Sequence, residues 1–402
     1  MSDLYQKIAK RAKELEPELA RMLMAMIQVP SFTGKEREVV QVVKGLMEDA
    51  GFDEIRIDGL GSIIGRLGSG PRVLAFDAHL DVVQPGDLAL WHTGPFSPRI
   101  EAGQVWGRGS ADQKGGLACM LGAARIIKEF GLNREFTLYF TGTVMEEDCD
   151  GLCWKHLIEE EHLRPDLVVL TEPSALKLAR GQRGRMDIQV RVAGLSCHGS
   201  APERGDNAIY KISRVALELE KLHARLKEGP VLGKGSLCVS QVFFTGPSQC
   251  AVPDSAWVHV DRRLTLGETR ESALAEVREA CALARCPDAE VAVPVYREPA
   301  YTGKVYPMDQ FFPAWLLAED HPRMGDAVQA YRACLGRAPV VCTWGFSTNG
   351  AAIAGLAGIP CLGLGPGDET LAHAPDEHCP LDHLSAAAAF YAALVARLNG
   401  RA

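Results

Sequence analysis

Several acidic and histidine side chains in this sequence directly follow short apolar runs. His79 and Asp81 follow Val-Leu-Ala-Phe at 73–76, Glu146 and Glu147 follow the run from Phe136, and Glu172 follows Leu-Val-Val-Leu-Thr at 167–171. His373 follows the apolar stretch 361–364 by one glycine-rich loop, and Asp112 precedes a Gln-Lys-Gly-Gly helix start. Taken singly, each has an ordinary explanation: a capping histidine, a solvated Glu-Glu helix start, a turn aspartate at Asp81, an N-cap at Asp112. Those explanations do not account for acidic and histidine residues ending four separate apolar runs. In open α/β sheets, ligands sit beyond the carboxyl ends of the strands, so these runs would deliver carboxylates and imidazoles to one edge. Carboxylates gathered there repel one another, and divalent cations are their natural compensation. Within His79-Leu80-Asp81 the two outer side chains share a face of extended chain. Asp81 is then placed to accept the second ring N–H of His79 and fix its tautomer.

The positioning elements follow from periodicity. Residues 4–28 and 36–50 have helical spacing, broken at Pro30, and 115–130 reads as a helix with small residues on one side. Residues 73–78, 136–144 and 166–170 are continuous apolar runs, as expected for strands covered on both faces of a mainly parallel sheet. After about residue 183 the rhythm changes. Strands are predicted at 186–192, 237–244, 256–264 and 290–295, with helices at 207–226 and 270–285. This is the β-α-β-β-α-β order of a ferredoxin-like unit. A strand at 359–364 and a helix at 381–398 resume the first pattern. The expectation is a two-domain α/β protein: a mainly parallel-sheet catalytic domain formed by 1–182 and 298–402, with a ferredoxin-like α+β domain inserted at 183–297.

A formal charge of −8 and a pI near 5.8 argue against sequence-independent affinity for nucleic acid or anionic membranes. The first residues are charged and helical, without the apolar core of a secretory signal, and no stretch approaches 18 uncharged apolar residues. The 12 cysteines are scattered singly, and Cys149 with Cys153 lacks the second pair of a structural zinc site. The expectation is a cytoplasmic protein with reduced thiols.

The segments Ala78-His79-Leu80-Asp81-Val82-Val83, Trp91, Pro95-Phe96-Ser97-Pro98 and Gly107-Arg108-Gly109-Ser110-Ala111-Asp112-Gln113-Lys114-Gly115-Gly116 together resemble a known family. It is the zinc aminoacylase, acetylornithine deacetylase and succinyl-diaminopimelate desuccinylase family of M20-type peptidases. Glu146-Glu147, Thr171-Glu172-Pro173, Cys197-His198-Gly199-Ser200-Ala201-Pro202 and Ala372-His373 continue the resemblance in order. Residues 345–350, Gly-Phe-Ser-Thr-Asn-Gly, are similar to the selenium-metabolism hydrolases.

The resemblance implies two divalent cations, zinc foremost, with manganese or cobalt as alternatives. Asp112 would bridge them, His79 and Glu172 would complete one site, and Glu147 and His373 the other. Glu146 would be the general base, with Asp81 beside His79, and the peptide after Asp112 would be cis. The insert would serve as lid and dimerisation domain, with His198 reaching a partner subunit's site in a homodimer; alone, His198 reads as a surface loop residue. Arg262 and Arg263 lie on opposite faces of a strand. Arg263 is preferred over Arg262 for a substrate carboxylate, the alternative being a charge on the sheet surface. Asn207 and Asn349 are further substrate contacts.

Two segments depart from many relatives: Cys250-Ala251-Val252-Pro253 stands where those have Asn-Val-Val-Pro, and Ser347-Thr348-Asn349-Gly350 where those have Gly-Thr-Asp-Ala. Both departures fall among substrate contacts, not metal ligands. The expected activity is hydrolysis of an amide in a small N-acyl amino acid or similar carboxylate. A di- or tripeptidase and a carbamoyl (ureido) amidohydrolase are the enzymatic alternatives. A non-catalytic metal-binding protein would be marked by loss of the base, and Glu146 is present.

Overall fold

The computed structural model describes residues 3–400. Helices α1 (Asp3–Ile27) and α2 (Arg37–Ala50) lead into strands β1 (Glu54–Ile57), β2 (Ile63–Leu67) and β3 (Arg72–His79). Then come α3 (Lys114–Glu129), β4 (Phe136–Thr143), α4 (Leu152–Glu159), β5 (Leu167–Leu170) and β6 (Leu178–Gln182). The inserted unit runs β7 (Gly184–Ala193), α5 (Ala208–Arg225), β8 (Ser236–Thr245), β9 (Ser255–Leu264), α6 (Arg270–Leu283) and β10 (Glu290–Ala292). Helix α7 (Pro322–Leu335), strand β11 (Cys361–Gly363) and helix α8 (Leu381–Leu398) close the chain.

The central sheet has the order β1-β2-β4-β3-β5-β11-β6, extended beyond β6 by Trp315–Leu316 and Val341–Trp344. Its middle four strands, β4-β3-β5-β11, are mutually parallel. Their residues are buried because helices cover both faces, which is why they read as unbroken apolar runs. The flanks are antiparallel: β1 with β2, β2 with β4, and β6 with β11. Register sets the site. His79 lies opposite Thr143, Asp77 opposite Leu170, and Leu170 opposite Gly363, so four strands end level. Helix α1 turns Ile8, Leu15, Leu19, Leu23 and Met26 into the core at helical spacing, where it packs on α3 and α8.

The second sheet is antiparallel, with order β8-β9-β7-β10. Helices α5 and α6 bury Ile212, Val215, Leu219 and Val277 against Ile188, Val190, Val258 and Val260, a core separate from the first. Phe311–Phe312 adds to β7 on the return to the larger unit. The elements that periodicity did not reveal are β1, β2, β6, α4 and α7. Strand β1 is four residues long with both ends, Glu54 and Ile57, exposed, and β6 is interrupted by Arg180 and Gly181, so neither shows a clean period. All twelve cysteines are free thiols, and among the described residues no helix is long and apolar enough to cross a membrane.

Candidate active site

The level strand ends deliver the expected side chains to one place. His79 closes β3, Glu146 and Glu147 follow β4, Glu172 follows β5, and His373 lies ten residues after Gly363 of β11. Asp112 arrives from the side, two residues before α3, on a cis peptide with Gln113. Gly116 permits this approach: a Cβ there would lie 2.2 Å from Thr171 Oγ1. Only a residue without a Cβ lets the start of α3 close on the end of β5.

Two triads result, His79–Asp112–Glu172 and Asp112–Glu147–His373, each with its donor atoms within 4.8 Å of one another. Asp112 belongs to both. Its Oδ1 lies 3.0 Å from His79 Nε2 and its Oδ2 lies 3.4 Å from His373 Nε2. His373 Nε2 is also 2.9 Å from Glu147 Oε2. One imidazole nitrogen and two carboxylates per triad is a donor set suited to borderline divalent cations such as zinc, manganese or cobalt. Asp112, with one oxygen toward each histidine, is built to bridge two of them.

The electrostatics of the bare cluster are consistent with this fit. Burial pushes Glu147 up to about 7, with the Asp112 charge adding to it. Burial likewise pushes Glu146 and Glu172 well above the usual carboxylate range, against the pull of His79. Hydrogen bonds to Asp112 and Glu147 hold His373 up at about 10. Burial would lower His79, but its bond to Asp112 and the charges of Glu146 and Glu172 raise it well above the ordinary range. Burial would raise Asp112, yet its bonds from His373 and His79 carry it below the ordinary range. Without cations the cluster therefore balances its charge with protons.

Glu146 stands outside both triads, with its carboxylate 3.9 Å from His79 Nε2 and only 5% of its surface exposed. Asp81 differs from expectation. The Nδ1 of His79 meets the main-chain oxygen of Asp81 at 2.9 Å, while the carboxylate lies 3.6 Å away. That carboxylate instead accepts the N–H groups of Glu146 (3.1 Å) and Glu147 (3.0 Å) and the hydroxyl of Thr33 (2.9 Å). Those two main-chain donors compete successfully for the oxygens assigned to the imidazole.

Sequence reasoning missed the support of the Asp112 loop. Glu377, fully buried, accepts from Arg108 (2.7 Å) and from the main-chain N–H groups of Gly109 (3.0 Å), Ala111 (2.8 Å) and Asp112 (2.9 Å). Its signal was its place four residues after His373. Lys114, also fully buried, donates to Met26 O and Val29 O at 3.0 and 3.1 Å, tying the same loop to the end of α1.

The triads form the floor of a cavity of about 300 Å3 whose far wall comes from the inserted unit. Arg263 lines it, held bidentately by Asp261 at 2.8 and 2.9 Å. Arg185 lines it too and was not anticipated. It is the cross-strand partner of Arg263, paired with Asp150 at 3.0 Å and Asp187 at 3.3 Å, and against its burial these two aspartates keep it charged. Antiparallel register puts both guanidinium groups on one face. Phe346, Ser347 and Glu369 complete the wall.

Three expected substrate contacts lie elsewhere. Arg262 is fully buried on the opposite face of β9, paired with Glu268 and Glu276. Asn207 caps α5 by accepting from Ile209 and Tyr210 and does not line the cavity. Asn349 is fully buried. Its amide donates to Asp77 (2.8 Å) and Thr143 (3.2 Å), and its oxygen accepts from Gly151 (3.0 Å) and Cys153 (3.1 Å). It fixes the ends of β3 and β4 and is spent on that task. His198 is exposed on the insert, bonded to Ser200 at 2.7 Å and absent from the cavity of its own chain.

Comparison with known proteins agrees with this geometry. An uncharacterised Escherichia coli K12 protein, YgeY, is 48% identical over 390 residues, 97% of this chain and 96% of its own length. The succinyl-diaminopimelate desuccinylase of Gluconacetobacter diazotrophicus is 29% identical over 93% of this chain and 95% of its own. Among solved structures, the Bacillus subtilis YXEP protein, a dinuclear metal-binding peptidase of the M20 family, superposes with a TM-score of 0.70 at 15% identity. That superposition covers 96% of this chain and 99% of that one. The sequence profile of peptidase family M20/M25/M40 matches residues 75–397. The chain belongs to this family and is a metal-dependent hydrolase.

Proposed function

We propose that the protein hydrolyses the amide bond of a small N-acyl amino acid or similar carboxylate, with Glu146 as general base. The observation that carries this reading is the arrangement across one cavity. Two triads share Asp112, Glu146 stands beside them without joining either, and two arginines face them from the insert. His79, Asp112 and Glu172 would hold one divalent cation, and Asp112, Glu147 and His373 a second; zinc suits both sets. Bound there, the pair would polarise a carbonyl and make a water acidic near neutral pH. Arg263 would take the substrate carboxylate through the donors that Asp261 leaves free, and Arg185 would reinforce it. Glu146 would accept a proton from the attacking water and return it to the departing nitrogen. The desuccinylase relative, whose name describes removal of an N-acyl group, supports this substrate class.

A homodimer is part of the proposal. Strand β8 is an outer strand, with Val242 62% and Phe244 61% exposed, and an apolar cavity of about 570 Å3 opens between it and α5. A second copy seated there would cover this surface, and it would bring the exposed His198 to a cavity other than its own.

The test of the base is Glu146→Ala, assayed on N-acetyl and N-succinyl amino acids. The expected outcome is unchanged metal content with turnover lower by about 10²–10⁴-fold, the usual contribution of a positioned acid–base group. Near-full turnover in that variant would refute the assignment.

A further inference from the structure

Consecutive residues of an extended strand point to opposite faces. Glu146 and Glu147 are consecutive and both line the cavity. The chain achieves this by turning at Met145, a non-glycine residue with φ of 64°. Three successive main-chain donors of that turn go to two buried carboxyl groups. Asp81 takes those of Glu146 and Glu147, and Glu36 Oε1 takes that of Met145 at 3.1 Å.

Glu36 is the surprising partner, because it comes from the connection between α1 and α2. It sits at the start of α2, where an acidic side chain usually caps its own helix. Here the side chain makes no such cap and turns to Met145 and to the N–H of Gly34 at 3.0 Å. It is fully buried, and its Oε2 has no hydrogen-bond partner. Residues 31–33 anchor the same connection: Ser31 Oγ donates to Leu80 O at 2.6 Å and Thr33 Oγ1 to Asp81 Oδ2 at 2.9 Å. The connection is thus joined to the segment of His79 and Asp81 and to the segment of Glu146 and Glu147.

We infer that Glu36 is a positioning residue for the general base, holding the main chain at Met145 so that Glu146 and Glu147 both face the cavity. This rests on the reading of Glu146 as the base. A burial-raised value of about 8, with Asp81 adding to it, makes Glu36 a neutral acid at neutral pH. Its carbonyl-like Oε1 then accepts both N–H groups while Oε2 holds the proton. Glutamine reproduces that acceptor, aspartate withdraws it by one methylene, and alanine removes it.

The experiment compares Glu36→Ala, Glu36→Asp and Glu36→Gln on N-acetyl and N-succinyl amino acids, with metal content and peptide-level hydrogen exchange over residues 141–149. Alanine and aspartate should lower kcat by about tenfold to a hundredfold, the scale of a sub-ångström to 1 Å misplacement, with little change in KM. Both should keep the cation held by His79, Asp112 and Glu172, bind the one held by Glu147 less tightly, and expose the 141–149 amides. Glutamine should restore kcat and protection to near the parent. Parental kcat and protection in the alanine or aspartate variant would overturn the inference. So would loss of both cations or of folding in aspartate and glutamine alike, which would mark a purely structural residue. Glu146→Ala run in parallel separates the two claims: if it stays active, the base assignment fails, and hydrogen exchange still reports whether Glu36 holds the turn.

Discussion

At the scale of single residues, the candidate ligands were legible because all but Asp112 follow an apolar run, and few other roles bring acids and imidazoles together there. Residues that act by accepting main-chain N–H groups were not legible. Glu377 and Glu36 look like loop and helix-start acids until the fold brings distant amides to them. Asn349 shows the converse: a polar side chain in a recognisable segment, read as a substrate contact, is consumed by four internal bonds. In the metal-free chain His373 is held up at about 10, above the ordinary histidine value of about 6.5. The stability this group contributes is fully present below about 6.5 and is lost as pH rises through about 10. Chelated protein should therefore lose melting temperature across that window relative to its His373→Ala variant. A parallel pH dependence of the two proteins would contradict the proton balance described for the bare cluster.

At the scale of elements, the four central strands and helices α1, α2, α3 and α8 were readable, since strands covered on both faces must be apolar throughout. The antiparallel flanks were not. β1 and β6 are short, and polar or glycine residues interrupt them, so pairing with neighbours rather than local pattern makes them strands. The close approach of α3 to β5 is specified by a single atom's absence. A Cβ at Gly116 would fall 2.2 Å from Thr171 Oγ1 and 2.7 Å from Thr171 O. Gly116→Ala should destabilise the protein by about 1–3 kcal/mol, as overpacking of a tight contact does. It should also weaken metal binding, because Thr171 precedes Glu172 and its hydroxyl meets Gln113 Oε1 at 2.9 Å. Urea unfolding and metal titration of the variant check both effects. Parental values in each would mean that the contact is not tight.

At the scale of the whole molecule, the insert is more than an appendage. It contributes Arg185 and Arg263 to the cavity, and the Arg185–Asp150 pair joins it to the loop after β4. The same unit displays His198 away from its own cavity. If a partner's His198 completes each site, mixing His198→Ala with Glu146→Ala subunits regenerates one intact site per heterodimer, and activity returns. Failure of a verified heterodimer to recover any activity would count against a shared site. Two triads sharing Asp112 would hold the two cations that the proposed reaction requires. The most direct measurement is elemental analysis of the purified protein before and after chelation, with amide hydrolysis followed alongside. Close to two divalent cations per chain, and hydrolysis that is lost on chelation and restored by zinc, manganese or cobalt, is the predicted result. A chain that takes up no divalent cation on titration would contradict the account at its centre.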